Sequence, residues 1–135
     1  MAGLPHGPGP DPQPHADAAD QQPGGHHGHI YCSWGIDLNA DFRDPNSQTI
    51  ATEFIGTSIS SEAAGTADFF AAYLPENPHI KFFDPRRGGY VACEVTADAW
   101  RADYRLLETA TTQDAPLSTI SSFVIESGNP GIQPA

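Results

Sequence analysis

The sequence predicts a mostly β domain of the α+β class behind a disordered N-terminal leader. Several runs between residues 49 and 126 are rich in β-branched and aromatic residues, and in two of them the side chains alternate as in strands. Only one short run has helical spacing. The first 27 residues are mainly Pro, Gly, His, Asp, Gln and Ala, so we expect a leader over residues 1–27 and a folded domain over residues 28–135.

The leader has too few apolar side chains to fold. Burial of such side chains is what offsets the entropy lost on ordering a chain, and prolines are excluded from helix interiors and central strands. The leader also has no basic start followed by an apolar run. We therefore expect neither a signal peptide nor a membrane span, and a cytoplasmic location for the chain as it stands.

Five runs are predicted to be strands and one to be a helix. The strands are expected at residues 49–60, 79–83, 90–95, 100–107 and 118–126. In the run 100–107, the apolar side chains at even positions oppose charged ones at 101, 103 and 105, which predicts one buried and one wet face. Residues 67–74 contain neither Gly nor Pro and precede Pro75, which predicts a short helix.

Short links between the strands predict antiparallel hairpins. Residues 85–89 and 96–99 are turn-forming, whereas residues 110–116 are polar and predict a longer loop. The result would be a β-meander with one apolar face. Because such a face needs a second layer and this chain offers no obvious one, we expect the face to be exposed.

Charge and cysteine content narrow the function classes. The net charge is −11, which disfavours binding to nucleic acid or to anionic lipid through a basic face. A phosphorylated substrate would still bind if metal cations supplied positive charge locally. Two cysteines, Cys32 and Cys93, are too few for a disulfide framework. We favour the interpretation that each acts as a small apolar side chain over one in which they form a disulfide or bind a metal.

Several separated blocks resemble the C-terminal part of the PhoD-like alkaline phosphatase family. The blocks are Gly28-His29-Ile30-Tyr31-Cys32-Ser33-Trp34, Asp37-Leu38, Ala51-Thr52-Glu53-Phe54-Ile55-Gly56-Thr57-Ser58-Ile59-Ser60, Asn77-Pro78-His79-Ile80-Lys81-Phe82-Phe83, Arg87-Gly88, Tyr90-Val91 and Ser122-Phe123-Val124-Ile125-Glu126. They occur in order and with similar spacing, which is more specific than any one short motif.

The resemblance implies the fold and chemistry of the calcineurin-like metallophosphatases. In this superfamily two sheets pack face to face in an αββα sandwich, and this chain would supply C-terminal antiparallel strands of one edge. Family members hydrolyse phosphate monoesters and diesters at a dinuclear site that holds iron and calcium, and they are usually exported. The metals bind the phosphate, activate a water and stabilise the leaving oxygen.

The resemblance also implies two metal ligands, His29 and Tyr31. The family has Gly-Asp-(Ile or Val)-His where this chain has Gly28-His29-Ile30-Tyr31. Imidazole binds iron well, so His29 suits the first ligand position. A phenol ordinarily keeps its proton at neutral pH, so Tyr31 would bind as a phenolate only to a strongly acidic metal such as ferric iron. The family's apolar strand before the motif is replaced by residues 21–27, which cannot form a buried strand.

Other candidate residues each have a structural alternative. Asp37 could orient a metal ligand or cap a turn, and His79 could face an active site or make a structural hydrogen bond. Arg87 could meet a phosphate or lie in a solvated turn. The histidines in or next to the leader could bind nickel, copper or zinc, and we favour adventitious binding over a biological role.

Two function classes remain. In the first, the chain is a fragment of a phosphate-ester hydrolase that lacks most metal ligands, is inactive alone and needs a complementary N-terminal polypeptide. In the second, it is a non-catalytic remnant or interaction module that self-associates through its exposed sheet face. We expect no nucleic-acid or membrane partner in either class.

Overall fold

A computed structural model of the protein describes residues 24–27, 31–61 and 67–135. Residues 1–23, for which we expected disorder, lie outside the described residues, and so does the predicted ligand His29. Within the described part, no helix has the length and apolar character needed to cross a membrane.

The described residues form eight strands, one short α-helix and one 3₁₀ helix, as the predicted α+β class requires. The strands are β1 Gly24–His27, β2 Ser33–Asn39, β3 Thr49–Ile55, β4 Ile80–Asp84, β5 Gly89–Val95, β6 Ala99–Leu107, β7 Leu117–Glu126 and β8 Asn129–Pro134. The helix α1 covers Ala67–Ala71, and the 3₁₀ helix covers Leu74–Glu76.

The strands form two four-stranded sheets. Sheet A has the order β1-β3-β2-β4, and sheet B has the order β5-β6-β7-β8. All pairs are antiparallel except β1 with β3, which is parallel. The predicted hairpin of β5 and β6 is confirmed, with Cys93 opposite Ala102.

The predicted hairpin between the fourth and fifth strands is wrong. Residues 85–88 carry the chain from β4 in sheet A to β5 in sheet B, so the turn changes sheets. At its end, the N–H of Gly89 donates to the carbonyl of Ser58, 3.1 Å away, instead of closing a β4–β5 ladder. Turn-forming residues specify a reversal of direction but not the strand that pairs next.

The boundaries of three other predicted elements also change. Residues 24–27 form β1 although we expected them to be disordered, because an edge strand needs only backbone pairing and β3 supplies it. The strand predicted over residues 49–60 ends at Ile55. The helix predicted to reach residue 74 ends at Ala71, and Pro75 lies in the first turn of the 3₁₀ helix, where its missing N–H costs nothing.

The two sheets cover each other, which corrects the expectation of an exposed apolar face. Phe54 of β3 packs edge-on against Tyr104 of β6, and Phe82 of β4 lies 4.5 Å from Tyr104 between ring centroids. The shared core also contains Phe123 of β7. Each fully buried side chain of this size contributes roughly 1.5–3 kcal/mol. Strand β8, which the sequence did not predict, packs against the core through Ile132.

Candidate functional site

The ends of sheet A divide the candidate residues into two groups. Strands β2 and β4 are antiparallel, with Ser33 opposite Asp84 at one end and Ile36 opposite Ile80 toward the other. Tyr31 precedes β2 and Arg87 follows β4, so both lie at the first end. The other candidates, Asp37 and His79, lie at the opposite end.

Tyr31 adopts a rare backbone conformation at the first end. Its φ is 58°, in the left-handed region that side-chain-bearing residues seldom occupy. The Thr57 hydroxyl, beyond the end of β3, donates to the carbonyl of Tyr31 at 2.9 Å. The next residue, Cys32, is fully buried, and its thiol points to the carbonyl of Pro85, 3.9 Å away. The turn is therefore held on both sides, while the Tyr31 side chain remains 43% exposed.

Arg87 at the same end is fixed by Asp84. One carboxylate oxygen of Asp84 accepts the backbone N–H groups of Arg86 and Arg87, at 3.1 and 2.9 Å. The other lies 3.3 Å from the Arg87 guanidinium, which is 43% exposed. Arg87 thus presents a positioned cation at the surface. It also borders a cleft of about 160 Å³ with Leu107, Glu108, Pro116, Ser118 and Ile120.

Asp37 of sheet A forms a hydrogen bond to β8 of sheet B and so links the two sheets. Its side chain is buried, one oxygen accepts the N–H of Ile132 in β8 at 2.8 Å, and the other lies 3.6 Å from the Lys81 ammonium. Its own N–H donates to the carbonyl of His79 at 2.8 Å. The His79 ring packs edge-on against Phe42 at 4.9 Å. These contacts lie at the end of sheet A opposite Tyr31, so the structure does not bring Asp37 or His79 together with Tyr31.

Sequence reasoning missed two residues at the Tyr31 end. Asp84 organises the turn, and the Asp-Pro-x-x-Gly pattern of residues 84–88 is the signal that could have found it. Ser33 is fully buried, and its hydroxyl has no hydrogen-bond partner among the described residues. A buried hydroxyl without a partner is uncommon and marks a place where a further polar group would be stabilising. No sequence pattern distinguishes Ser33 from other serines.

The described residues do not form a metal site by themselves. No group of three or more His, Cys, Asp or Glu side chains suited to a metal occurs among them. At the Tyr31 end of sheet A, the Asp84 carboxylate forms an ion pair with Arg87. Of the two predicted ligands, Tyr31 is the one that lies within the described residues. A dinuclear site requires several anionic or imidazole ligands. Such a site would need ligands from outside the described residues.

Comparisons with known proteins give one consistent result. A family model described as PhoD-like phosphatase matches residues 27–104. Alkaline phosphatase D of Bacillus subtilis (strain 168) is 42% identical over 109 residues, covering 78% of this chain and 18% of that protein. A solved structure of PhoD matches with a TM-score of 0.72 at 37% identity, over 83% of this chain and 22% of that one. The chain thus spans about a fifth of the length of these relatives.

Proposed function

This chain belongs to the PhoD-like phosphatase family, and from that membership we propose that it forms the C-terminal part of a hydrolase of phosphate monoesters and diesters. Family membership carries the proposal, and the left-handed turn at Tyr31 supports it. Strained backbone that its surroundings hold in place is concentrated at functional sites. Here it occurs in the same four residues that stand where the family keeps its metal motif.

Tyr31 and Arg87 have distinct roles in this proposal. The exposed phenol of Tyr31 is the ligand that the chain offers to ferric iron, and the Arg87 guanidinium offers a positive charge and paired donors to a phosphate oxygen. Iron and calcium, when bound, would supply Lewis acidity and an activated water. Because no group of three or more metal-binding side chains occurs among the described residues, we propose that turnover requires a complementary polypeptide. The chain alone should therefore be inactive.

A chimera tests the proposal. The segment of Bacillus subtilis alkaline phosphatase D that aligns with this chain would be replaced by this chain's residues 28–135, so that the whole motif is transferred, and turnover would be measured on a chromogenic monoester and diester with ferric iron and calcium. We expect the chimera to be active. Tyr31→Phe, which removes the phenol oxygen, should reduce turnover at least about tenfold and abolish any visible phenolate-to-iron absorption band.

The matched control is Tyr90→Phe, because Tyr90 is 42% exposed, close to the 43% of Tyr31, but lies on β5. Its turnover and absorption should equal those of the unmodified chimera. A folded chimera without turnover would contradict the proposal and favour the non-catalytic module. Robust turnover by the isolated chain would show that no complementary polypeptide is needed.

A further inference from the structure

The segment Thr57-Ser58 contacts the backbone beside both candidate residues at the Tyr31 end of sheet A. Strand β3 ends before this segment, earlier than the sequence predicts. The Thr57 hydroxyl donates to the carbonyl of Tyr31 at 2.9 Å, and the Ser58 carbonyl accepts the N–H of Gly89 at 3.1 Å. Gly89 follows Arg87 by two residues. One short segment therefore connects the Tyr31 turn to the Arg87 turn.

The bond from Thr57 fixes the peptide group that follows Tyr31. This peptide group is planar, and its carbonyl oxygen accepts the Thr57 hydroxyl. Cys32, on its other side, is fully buried. The φ of 58° at Tyr31 is disfavoured for a residue with a side chain, so the turn persists only while its surroundings hold it. The Thr57 hydroxyl thereby helps to set the direction in which the Tyr31 side chain leaves the backbone.

The Ser58 carbonyl sets the position of the backbone after Arg87. Gly88 and Gly89 are both buried, and a Cβ built on Gly88 would lie 3.0 Å from the Ser58 carbonyl oxygen. The carbonyl of Gly88 accepts the N–H of Leu107 at 2.8 Å. The backbone next to Arg87 is therefore held by sheet B and by Ser58 together.

The connecting segment is itself anchored on both sides. The Ser58 hydroxyl accepts the N–H groups of Ser60 and Ser61 at 3.2 and 3.0 Å, which forms a turn directly after the segment. A Cβ built on Gly56 would lie 3.6 Å from the Val91 side chain, so the chain before the segment packs against β5. These contacts keep the intervening hydroxyl donor in place.

We propose that Thr57 is a positioning residue, whose hydroxyl holds the Tyr31 turn at a fixed spacing from Arg87 so that the phenol and the guanidinium serve the same phosphate ester. This inference rests on the function proposed above. A misplacement of about 1 Å can cost about a hundredfold in rate, so loss of the Thr57 bond should slow turnover although Thr57 acts only through Tyr31.

NMR of the metal-free full chain tests whether Thr57 holds the turn. Thr57→Val removes the donor and keeps the side-chain shape, so we expect it to shift the backbone signals of Tyr31 away from those of a left-handed residue. Thr57→Ser keeps a hydroxyl and should restore them. The matched control is Thr49→Val, because Thr49 is also half-buried and its hydroxyl donates to the Asn39 side chain at 3.1 Å, at the other end of sheet A. It should leave the Tyr31 signals unchanged.

The chimera with Bacillus subtilis alkaline phosphatase D tests the effect on turnover. Thr57→Val should lower kcat about fivefold and weaken the phenolate-to-iron band while KM changes less than about twofold, and Thr57→Ser should recover most of the loss. Gly88→Ala displaces the Arg87 turn instead, so it should raise KM about fivefold and leave the band unchanged. Because Thr57 acts through the phenol, adding Thr57→Val to Tyr31→Phe should lower kcat no further.

Three results would overturn the positioning role while the chimera is active. The first is an unchanged set of Tyr31 signals in Thr57→Val. The second is an additive loss of kcat when Thr57→Val is combined with Tyr31→Phe, which would show that Thr57 does not act through the phenol. The third is an equal loss in Thr49→Val, which would indicate general destabilisation. A folded but inactive chimera would overturn the proposed function as well. Circular dichroism of each variant establishes that it is folded.

Discussion

Replacing Asp37 by alanine should lower the free energy of unfolding by about 2–3 kcal/mol. The carboxylate accepts the Ile132 N–H at 2.8 Å across the two sheets, and its side chain is only 8% exposed. A hydrogen bond to a charged group contributes roughly 1.5–3 kcal/mol, and its loss leaves the partly buried N–H of Ile132 without a partner. The ion pair adds little, because Lys81 is 40% exposed and such pairs contribute at most about 1 kcal/mol.

Two control variants separate these contributions. Asp37→Asn keeps an acceptor for Ile132 and should cost about half as much as Asp37→Ala, whereas Lys81→Met should cost less than about 1 kcal/mol. Urea unfolding monitored by tryptophan fluorescence gives the free energies. The melting temperature of Asp37→Ala should fall by about 10 °C for a domain of this size.

Two outcomes would refute this account of Asp37. If Asp37→Ala changes the free energy of unfolding by less than about 0.5 kcal/mol, within the range of ordinary surface substitutions, the bond to Ile132 does not hold the sheets. If Lys81→Met destabilises as much as Asp37→Ala, the ion pair rather than the hydrogen bond carries the effect.

Further predictions concern a glycine and a buried phenol. Gly89→Ala should destabilise by more than about 3 kcal/mol in urea unfolding, because its Cβ would collide with the carbonyl oxygen of Arg105 and lie 2.9 Å from the Leu106 Cα. Gly128→Ala, with φ 75° and open space, should cost about 1 kcal/mol. Tyr104 donates from its hydroxyl to the buried carbonyl of Trp34, so Tyr104→Phe should cost about 1–2 kcal/mol by the same measurement. Burial raises the pKa of Tyr104 well above its usual value of 10.0. Its contribution to stability is therefore complete below pH 10.0 and declines as pH rises further, which unfolding at alkaline pH would show and Tyr104→Phe would reduce.

Local patterns predicted strands where side-chain alternation and burial agree. Strand β6 follows its predicted boundaries within one residue, because its buried residues Ala102, Tyr104 and Leu106 alternate with partly exposed charged ones. Strand β8 was missed because Pro130 and Pro134 argue against a strand. At an edge those prolines are tolerated, and a sequence does not state which strand is an edge.

For the candidate site too, the sequence predicted individual residues but not their arrangement in space. Tyr31 was selected as a candidate because it stands in a recognisable motif, and Arg87 because it precedes a pair of glycines. That both lie at one end of sheet A, and that Asp37 is instead bound to Ile132, depends on the pairing of β2 with β4 and on the packing of β8. Spacing along the chain carries no information about either contact.

The sequence by itself determined the family and the β-rich class and nominated the candidate site residues, because these depend on residue identity and local periodicity. Tertiary structure alone decided that the chain crosses from one sheet to the other after β4, so that each sheet covers the apolar face of its partner. The physical reason is that turn residues and alternation act over a few neighbouring positions. The choice of partner strand and partner layer depends on long-range burial of side chains such as Phe54, Phe82 and Tyr104.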